Sequence, residues 1–153
     1  MQEIVALCRA LNVSDKILLT GGRSYQDLPI YYGLANAFVH ASTTEQWGLV
    51  VNEAMAAGLP VLISNRCGCA PELVHEGKNG YTFDPYDVEG LSVLLGRIAG
   101  GRERLAAFGQ ASEAIIAEWG PQRFSNALFD AASVALNSPP RPMRLSDRLL
   151  LSC

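Results

Sequence analysis

Long hydrophobic runs are missing from this chain. No apolar stretch approaches the ~20 residues that a bilayer-spanning helix needs, and the opening Met1-Gln2-Glu3-Ile4 lacks the pattern of a secretory leader. No single sign of charge dominates either. The 12 basic and 15 acidic residues leave a net charge of −3, so neither nucleic acid nor an anionic membrane is expected as a whole-surface partner. Histidine is confined to His40 and His75, and the four cysteines, Cys8, Cys67, Cys69 and Cys153, are scattered. Cys67-Gly68-Cys69 is too tight for an easy disulfide and has no second cysteine pair to complete a zinc site. Reduced thiols, no metal and a cytoplasmic setting are expected, with peripheral contact to the inner face of a membrane left open. What is present is enough for a core: 153 residues with 49% hydrophobic content suit one globular domain.

Periodicity and punctuation divide the chain. Helix is expected at 2–11, with Ile4, Leu7, Cys8 and Leu11 on one face, then strand at 16–20 and helix at 26–35. Strand 37–41, helix 48–57 and strand 60–63 follow, with Gly58 ending the helix and Pro60 opening the next strand. A short helix at 71–75 leads through a Gly-Lys-Asn-Gly turn to strand 81–83. Helices at 87–99, 101–117 and 121–136 complete the ordered part. Alternating strands and helices mean an α/β fold, a parallel sheet with helices on both faces. The domain is placed at 1–136. Residues 137–153, with Pro139, Pro140, Pro142 and three arginines, read as a flexible tail whose closing leucines are too few for an anchor.

The segment 42–61 carries the chemistry. It reads Ser-Thr-Thr-Glu45-Gln-Trp47-Gly48-Leu49-Val-Val-Asn-Glu53-Ala-Met-Ala-Ala-Gly58-Leu-Pro60-Val. Glu45 falls in the loop after a strand, and Glu53 falls inside the following helix, four residues beyond Leu49. Val50, Ala54 and Ala57 are expected to face the core. A helix starting near Gly48 offers unpaired N–H groups and the positive end of its dipole to an anion. Gly48, lacking a Cβ, lets a phosphate approach that backbone. Carboxylates only accept hydrogen bonds, so sugar hydroxyls are their natural partners here. A phosphate between two hydroxylated rings fits all three features, and such a ligand is a nucleotide sugar.

Each of these residues has a plainer reading. On that reading Glu53 is a solvated helix residue, Glu45 an acid that complements the dipole, and Gly48 a turn residue; for both glutamates the ligand role is preferred. Trp47 is a packing anchor or a sugar contact. His40 reads as a histidine satisfied by hydrogen bonds, and nothing around His75 suggests chemistry. Glu72 reads as a first-turn acid. Arg23 and Arg66, each after the carboxyl end of a strand, are surface cations or phosphate ligands.

The segment resembles the E-x7-E motif of retaining glycosyltransferases with the GT-B fold. The likeness extends through Tyr31-Tyr32-Gly33-Leu34-Ala35-Asn36-Ala37-Phe38-Val39, then Ala54-Met55-Ala56-Ala57-Gly58-Leu59-Pro60-Val61. It continues in Pro71-Glu72-Leu73-Val74, Gly77-Lys78-Asn79-Gly80-Tyr81 and Asp84-Pro85. In all it covers about 13–129, in order. The resemblance implies a Rossmann-like sheet forming part of the C-terminal, donor-binding domain. It gives Glu45 the hydroxyls of the transferred sugar, as the catalytic contact, and the backbone of Trp47, Gly48 and Leu49 the diphosphate. Glu53 takes the ribose hydroxyls, and the loop of Gly21, Gly22, Arg23 and Ser24 borders the base. A nucleotide-sugar substrate, no metal or other cofactor, and a glycan or glycolipid acceptor follow from it, in polysaccharide or glycolipid synthesis.

Enzymes of this family bind the acceptor in a second domain and neutralise the diphosphate with Arg and Lys from earlier strands. Neither is present here. The resemblance therefore implies a partner in a missing N-terminal domain or a second chain, and an isolated chain without activity. Strand 16–20 would also be cut off from strand 37–41, leaving Ile17, Leu18, Leu19, Phe38 and Val39 beside a gap. Two alternatives stand. One is a nucleotide-sugar epimerase of the same fold, against which the Glu45 to Glu53 spacing and Met55-Ala56-Ala57-Gly58 speak. The other is a non-catalytic remnant or partner-binding subunit.

Overall fold

The computed structural model describes residues 2–139. Seven α-helices and three strands alternate along them. The strands are β1 (Phe38–His40), β2 (Val61–Ser64) and β3 (Gly80–Phe83), parallel and in the order β1-β2-β3. Phe38 pairs with Val61, and Val61 in turn with Gly80. All four residues of β2 are buried, as a central parallel strand covered on both faces requires.

The two faces of β2 feed two cores. Val61 and Ile63 point to one side, against Val51 and Met55 of α3 (Leu49–Ala56) and Leu73 of α4 (Ala70–Leu73). Leu62 points to the other, with Phe83 and Ile98 of α5 (Val88–Ala99) and the partly buried Leu105 of α6 (Arg102–Ile116). α6 also packs on α3, where Gly109 comes so close to the Gly58 carbonyl oxygen that a Cβ would sit 2.2 Å from it. α1 (Gln2–Ala10), α2 (Leu28–Leu34) and α7 (Pro121–Asn137) contain no fully buried residue. The tail from 140 onward lies outside the described residues.

α3 ends through paired bonds: Leu59 N–H donates to the Ala54 carbonyl and Gly58 N–H to that of Met55. Gly58 at φ 72° allows this left-handed close. The buried helix stripe is Val51, Ala54 and Met55, rather than Val50, Ala54 and Ala57. The helix begins at Leu49 and Ala57 already caps it, so Ala57 is exposed and Val50 half-buried.

Strand 16–20 does not form. These residues have no ladder partner among the described residues, and Leu18 is 84% exposed. A strand exists only beside another strand, because its backbone groups need partners. An apolar run by itself does not supply one. The Gly-Lys-Asn-Gly turn does form, around a buried Asn79 whose Nδ2 donates to the Leu73 carbonyl (2.9 Å). Its Oδ1 accepts from the His75 N–H (2.8 Å).

Candidate donor site

The loop from β1 to α3 is zipped to the loop after β2. Glu45 N–H donates to the Arg66 carbonyl (3.4 Å), Gly68 N–H to the Glu45 carbonyl (3.0 Å), and Cys69 N–H to the Trp47 carbonyl (3.2 Å). Residues 45–47 thus prolong the parallel pairing of β1 with β2 beyond the strand ends. A Cβ on Gly68 would stand 1.8 Å from the Gln46 carbonyl oxygen, so only glycine admits this contact. The sequence reading did not single out Gly68. The contact depends on two loops meeting in space, which spacing does not reveal.

Gly48 then turns the chain into α3. It is buried at φ 97° and ψ 66°, a left-handed conformation that side chains disfavour. A Cβ there would press on Glu45 Cγ at 3.3 Å. The first-turn amides of Leu49 and Val50 have no carbonyl four residues back to bond. They lie at the carboxyl edge of the sheet with no carbonyl partner within the helix.

The two glutamates sit in different surroundings. Glu45 is half-exposed, and its Oε2 lies 3.7 Å from Nε2 of His40. Glu53 Oε2 accepts a hydrogen bond from the Tyr32 hydroxyl (2.9 Å). It lines a cleft of about 440 Å³ with Tyr25, Leu28, Pro29, Tyr32 and Ala56. Burial first, then the bond and charge of Glu53, push the Tyr32 phenol up to about 12. Glu53 is therefore a tethered carboxylate at the rim of an apolar cleft, not merely a solvated helix residue. Tyr32, which the sequence reading left without a role, is what tethers it.

Trp47 is engaged elsewhere. Its indole N–H donates to Asn52 Oδ1 (3.0 Å), and its ring lies 5.5 Å from that of Trp119, over which Arg123 stacks at 4.1 Å. Its side chain packs on Trp119 while lining a cleft of about 480 Å³ with Leu49, Asn52 and Phe124. Leu49 presents an exposed side chain there. Gly22 and Arg23 do not line the Glu53 cleft; the Arg23 guanidinium lies 5.9 Å from the Tyr31 ring centre. Arg66 joins the site through its backbone carbonyl, while its own N–H donates to Ser64 Oγ (3.1 Å).

Cys67 and Cys69 are buried free thiols beneath the site. Burial, then the neighbouring Cys67, raises Cys69 to about 11, and burial followed by Glu45 raises Cys67. Both stay protonated near neutrality and make poor nucleophiles. Among the described residues no group of three or more His, Cys, Asp or Glu could hold a metal ion. No helix there is long and apolar enough to cross a membrane.

A parallel sheet whose loops gather at the carboxyl ends of its strands belongs to the open α/β class, which binds ligands at that edge. Within that class, residues 2–114 match glycosyl transferases group 1, and the chain belongs to this family. It is 32% identical over 127 residues to a GDP-mannose-dependent alpha-(1-6)-phosphatidylinositol monomannoside mannosyltransferase of Mycobacterium tuberculosis. That match covers 78% of this chain and 33% of the relative. Sucrose-phosphate synthase from Thermosynechococcus elongatus superimposes with a TM-score of 0.68 at 27% identity, covering 85% of this chain and 34% of that one. Anabaena HepE, in complex with UDP and glucose, shares the fold at a TM-score of 0.73 and 24% identity, over 84% of this chain and 36% of its own. The chain spans about a third of the length of the curated mannosyltransferases it matches.

Proposed function

We propose that this chain is the donor-binding part of a retaining glycosyltransferase, which moves a sugar from a nucleotide-sugar to an acceptor hydroxyl. The observation that carries this reading is the placement of Glu45 before the start of α3 and Glu53 within it, around a left-handed turn that favours glycine at 48. In the proposed complex the diphosphate lies on the backbone of Trp47, Gly48 and Leu49. Glu45 accepts hydroxyls of the transferred sugar and is the catalytic contact. Glu53 accepts ribose hydroxyls beside Tyr32, and the loop of Gly22 and Arg23 borders the base.

As the bond from the sugar to the diphosphate breaks, negative charge grows on the leaving oxygen. Fixed N–H donors and the helix dipole stabilise that charge without reorganising. The departing diphosphate takes the proton of the acceptor hydroxyl, and the new bond forms on the face it leaves. The reading calls for no resident metal or cofactor. The donor of this reading is a nucleoside diphosphate hexose, which the GDP-mannose and UDP in the names of the relatives support, and its acceptor is a glycan or glycolipid. Polysaccharide or glycolipid synthesis on the cytoplasmic side, peripheral to the membrane, is the corresponding setting. Turnover is assigned to an assembly that also contains an acceptor-binding domain, in the same polypeptide or in a partner.

Hydrogen–deuterium exchange with UDP-glucose and GDP-mannose tests the reading. Slowed exchange in peptides spanning 45–53 is expected with at least one of them. Unchanged exchange there with both, at concentrations that saturate family enzymes, would reject it. A second reading, a non-catalytic subunit that docks through β1, is favoured by that strand's pairing on one side only among the described residues. In that case nucleotides leave 45–53 unchanged, and a partner slows exchange at 37–40.

A further inference from the structure

Nε2 of His40 is buried and has no hydrogen-bond partner among the described residues. The expectation of a satisfied histidine therefore fails at one atom. A buried polar nitrogen without a partner is unfavourable and uncommon. This one lies 3.7 Å from Glu45 Oε2, just beyond hydrogen-bond range.

The ring is held in place from behind. His40 is the last residue of β1 and shares a face with Phe38, two residues earlier. The two rings stack at 6.1 Å with planes 15° apart, and Phe38 packs against the core below. Glu45 is fixed differently. Its backbone is bonded to Arg66 and Gly68, while its carboxylate has no hydrogen bond among the described residues. Cys67 and Cys69, the other ionisable groups that feel the Glu45 charge, are both raised, first by burial, and remain neutral thiols. The imidazole is thus a strong donor on a rigid element, 3.7 Å from a loosely held carboxylate.

We propose that His40 is the positioning residue for Glu45. Its Nε2–H closes onto Oε2 when a donor sugar binds, which orients the carboxylate and leaves Oε1 for a sugar hydroxyl. The proposal rests on the donor-sugar role of Glu45 given above. A half-exposed glutamate samples several rotamers, and a single bond to a rigid ring selects among them. The effect is confined to the sugar end of the ligand. The helix-start amides and Glu53 are assigned to the nucleotide, and among the described residues no hydrogen bond or ion pair joins His40 to Glu53.

Two measurements on the 153-residue chain test this. His40 and His75 are its two histidines, so selective ¹⁵N-histidine labelling gives two ring systems, assigned with His40→Phe. The His40 ring is expected as the Nε2–H tautomer, with an Nε2 resonance that moves in Glu45→Gln. An Nδ1–H tautomer, or a resonance indifferent to Glu45→Gln, would overturn the proposal. The second measurement compares affinities for UDP-glucose and GDP-mannose with those for UDP and GDP. His40→Phe keeps the ring stack but removes the donor. It should lower nucleotide-sugar affinity about tenfold and leave the free diphosphates unaffected, with partial rescue in His40→Gln. Equal losses for sugar-bearing and sugar-free nucleotides, or no loss at all, would contradict a positioning role. If none of the four nucleotides binds, the proposed function fails and the positioning role with it. The labelling experiment still reads separately whether the His40 ring and the Glu45 carboxylate are neighbours, 3.7 Å apart without ligand.

Discussion

Glu53 shows how one side chain acquires a purpose from its neighbours. On an isolated helix it would be solvated. Here the Tyr32 hydroxyl tethers it at the mouth of an apolar cleft, with one oxygen free to accept. Replacing Glu53 with Ala should weaken binding of the nucleotide-sugar that slows exchange at 45–53 by about tenfold to a hundredfold. That range corresponds to ~1.5–3 kcal/mol for bonds to a charged acceptor, and calorimetry reads it directly. An unchanged affinity would remove the ribose role. The Tyr32 phenol offers a second readout that needs no ligand. Its value is raised from 10.0 to about 12 in the fold, so the folded state holds the proton more tightly than the unfolded chain. The stability this contributes is fully present below pH 10 and is lost as pH rises through about 12. Of the five tyrosines, one should therefore ionise late in an ultraviolet titration. In Glu53→Gln that late step should move back toward the ordinary value, though not the whole way, because burial is the first cause of the shift. A titration indifferent to Glu53→Gln would mean that the hydrogen bond is absent in solution.

Among elements, the contacts that shape the site are set by glycines where backbones touch. The two loops that hold Glu45 and Gly48 meet at Gly68, where a Cβ would lie 1.8 Å from a carbonyl oxygen. No side-chain rotation relieves that clash. Gly68→Ala is expected to cost about 1–3 kcal/mol, as overpacking usually does, and to lower Tm by roughly 2–12 °C for a chain of this size. Gly96 supplies the comparison, since it lies inside α5 with open space around its Cα. Gly96→Ala should hold or raise Tm, because Ala is the better helix former. Equal melting temperatures for the two variants would dissolve the argument. The same distinction explains what was legible in the sequence. β1, β2 and the helices after them announce themselves through apolar runs bounded by Gly58, Pro60 and the Asn79 turn. The helix start between Glu45 and Glu53 follows from local spacing. Strand 16–20 was misread because a strand is defined by a neighbour that an apolar run cannot supply. The α3 stripe was misplaced because its phase depends on the residue where Gly48 releases the helix. Tyr32 on Glu53, Gly68 under Gln46 and His40 beside Glu45 are tertiary meetings, and no periodicity encodes them.

At the scale of the whole molecule, a three-stranded sheet carries seven helices, and its first strand is bonded on one side only among the described residues. The open edge of β1 presents backbone donors and acceptors that another strand can pair. Val39 on that strand is exposed, as are Ile17, Leu18 and Leu19 in the segment expected to have been a strand. The apolar side chains of α1 and α7, including Ile4, Leu7, Phe124 and Phe129, are exposed as well. Apolar surface spread over an edge and two helices is an interaction surface or an aggregation hazard. Covering it with a second copy or another domain would remove that area from water at about 25 cal/mol per Å². A net charge of −3 gives little electrostatic repulsion to keep copies apart. The 153-residue chain by itself is therefore expected to self-associate or to be poorly soluble, with no detectable glycosyl transfer. Light scattering combined with a donor-turnover assay decides the matter. A monodisperse monomer that melts sharply and turns over donor would show that this edge and these helices need no cover, and that one third of a family enzyme's length suffices for the reaction.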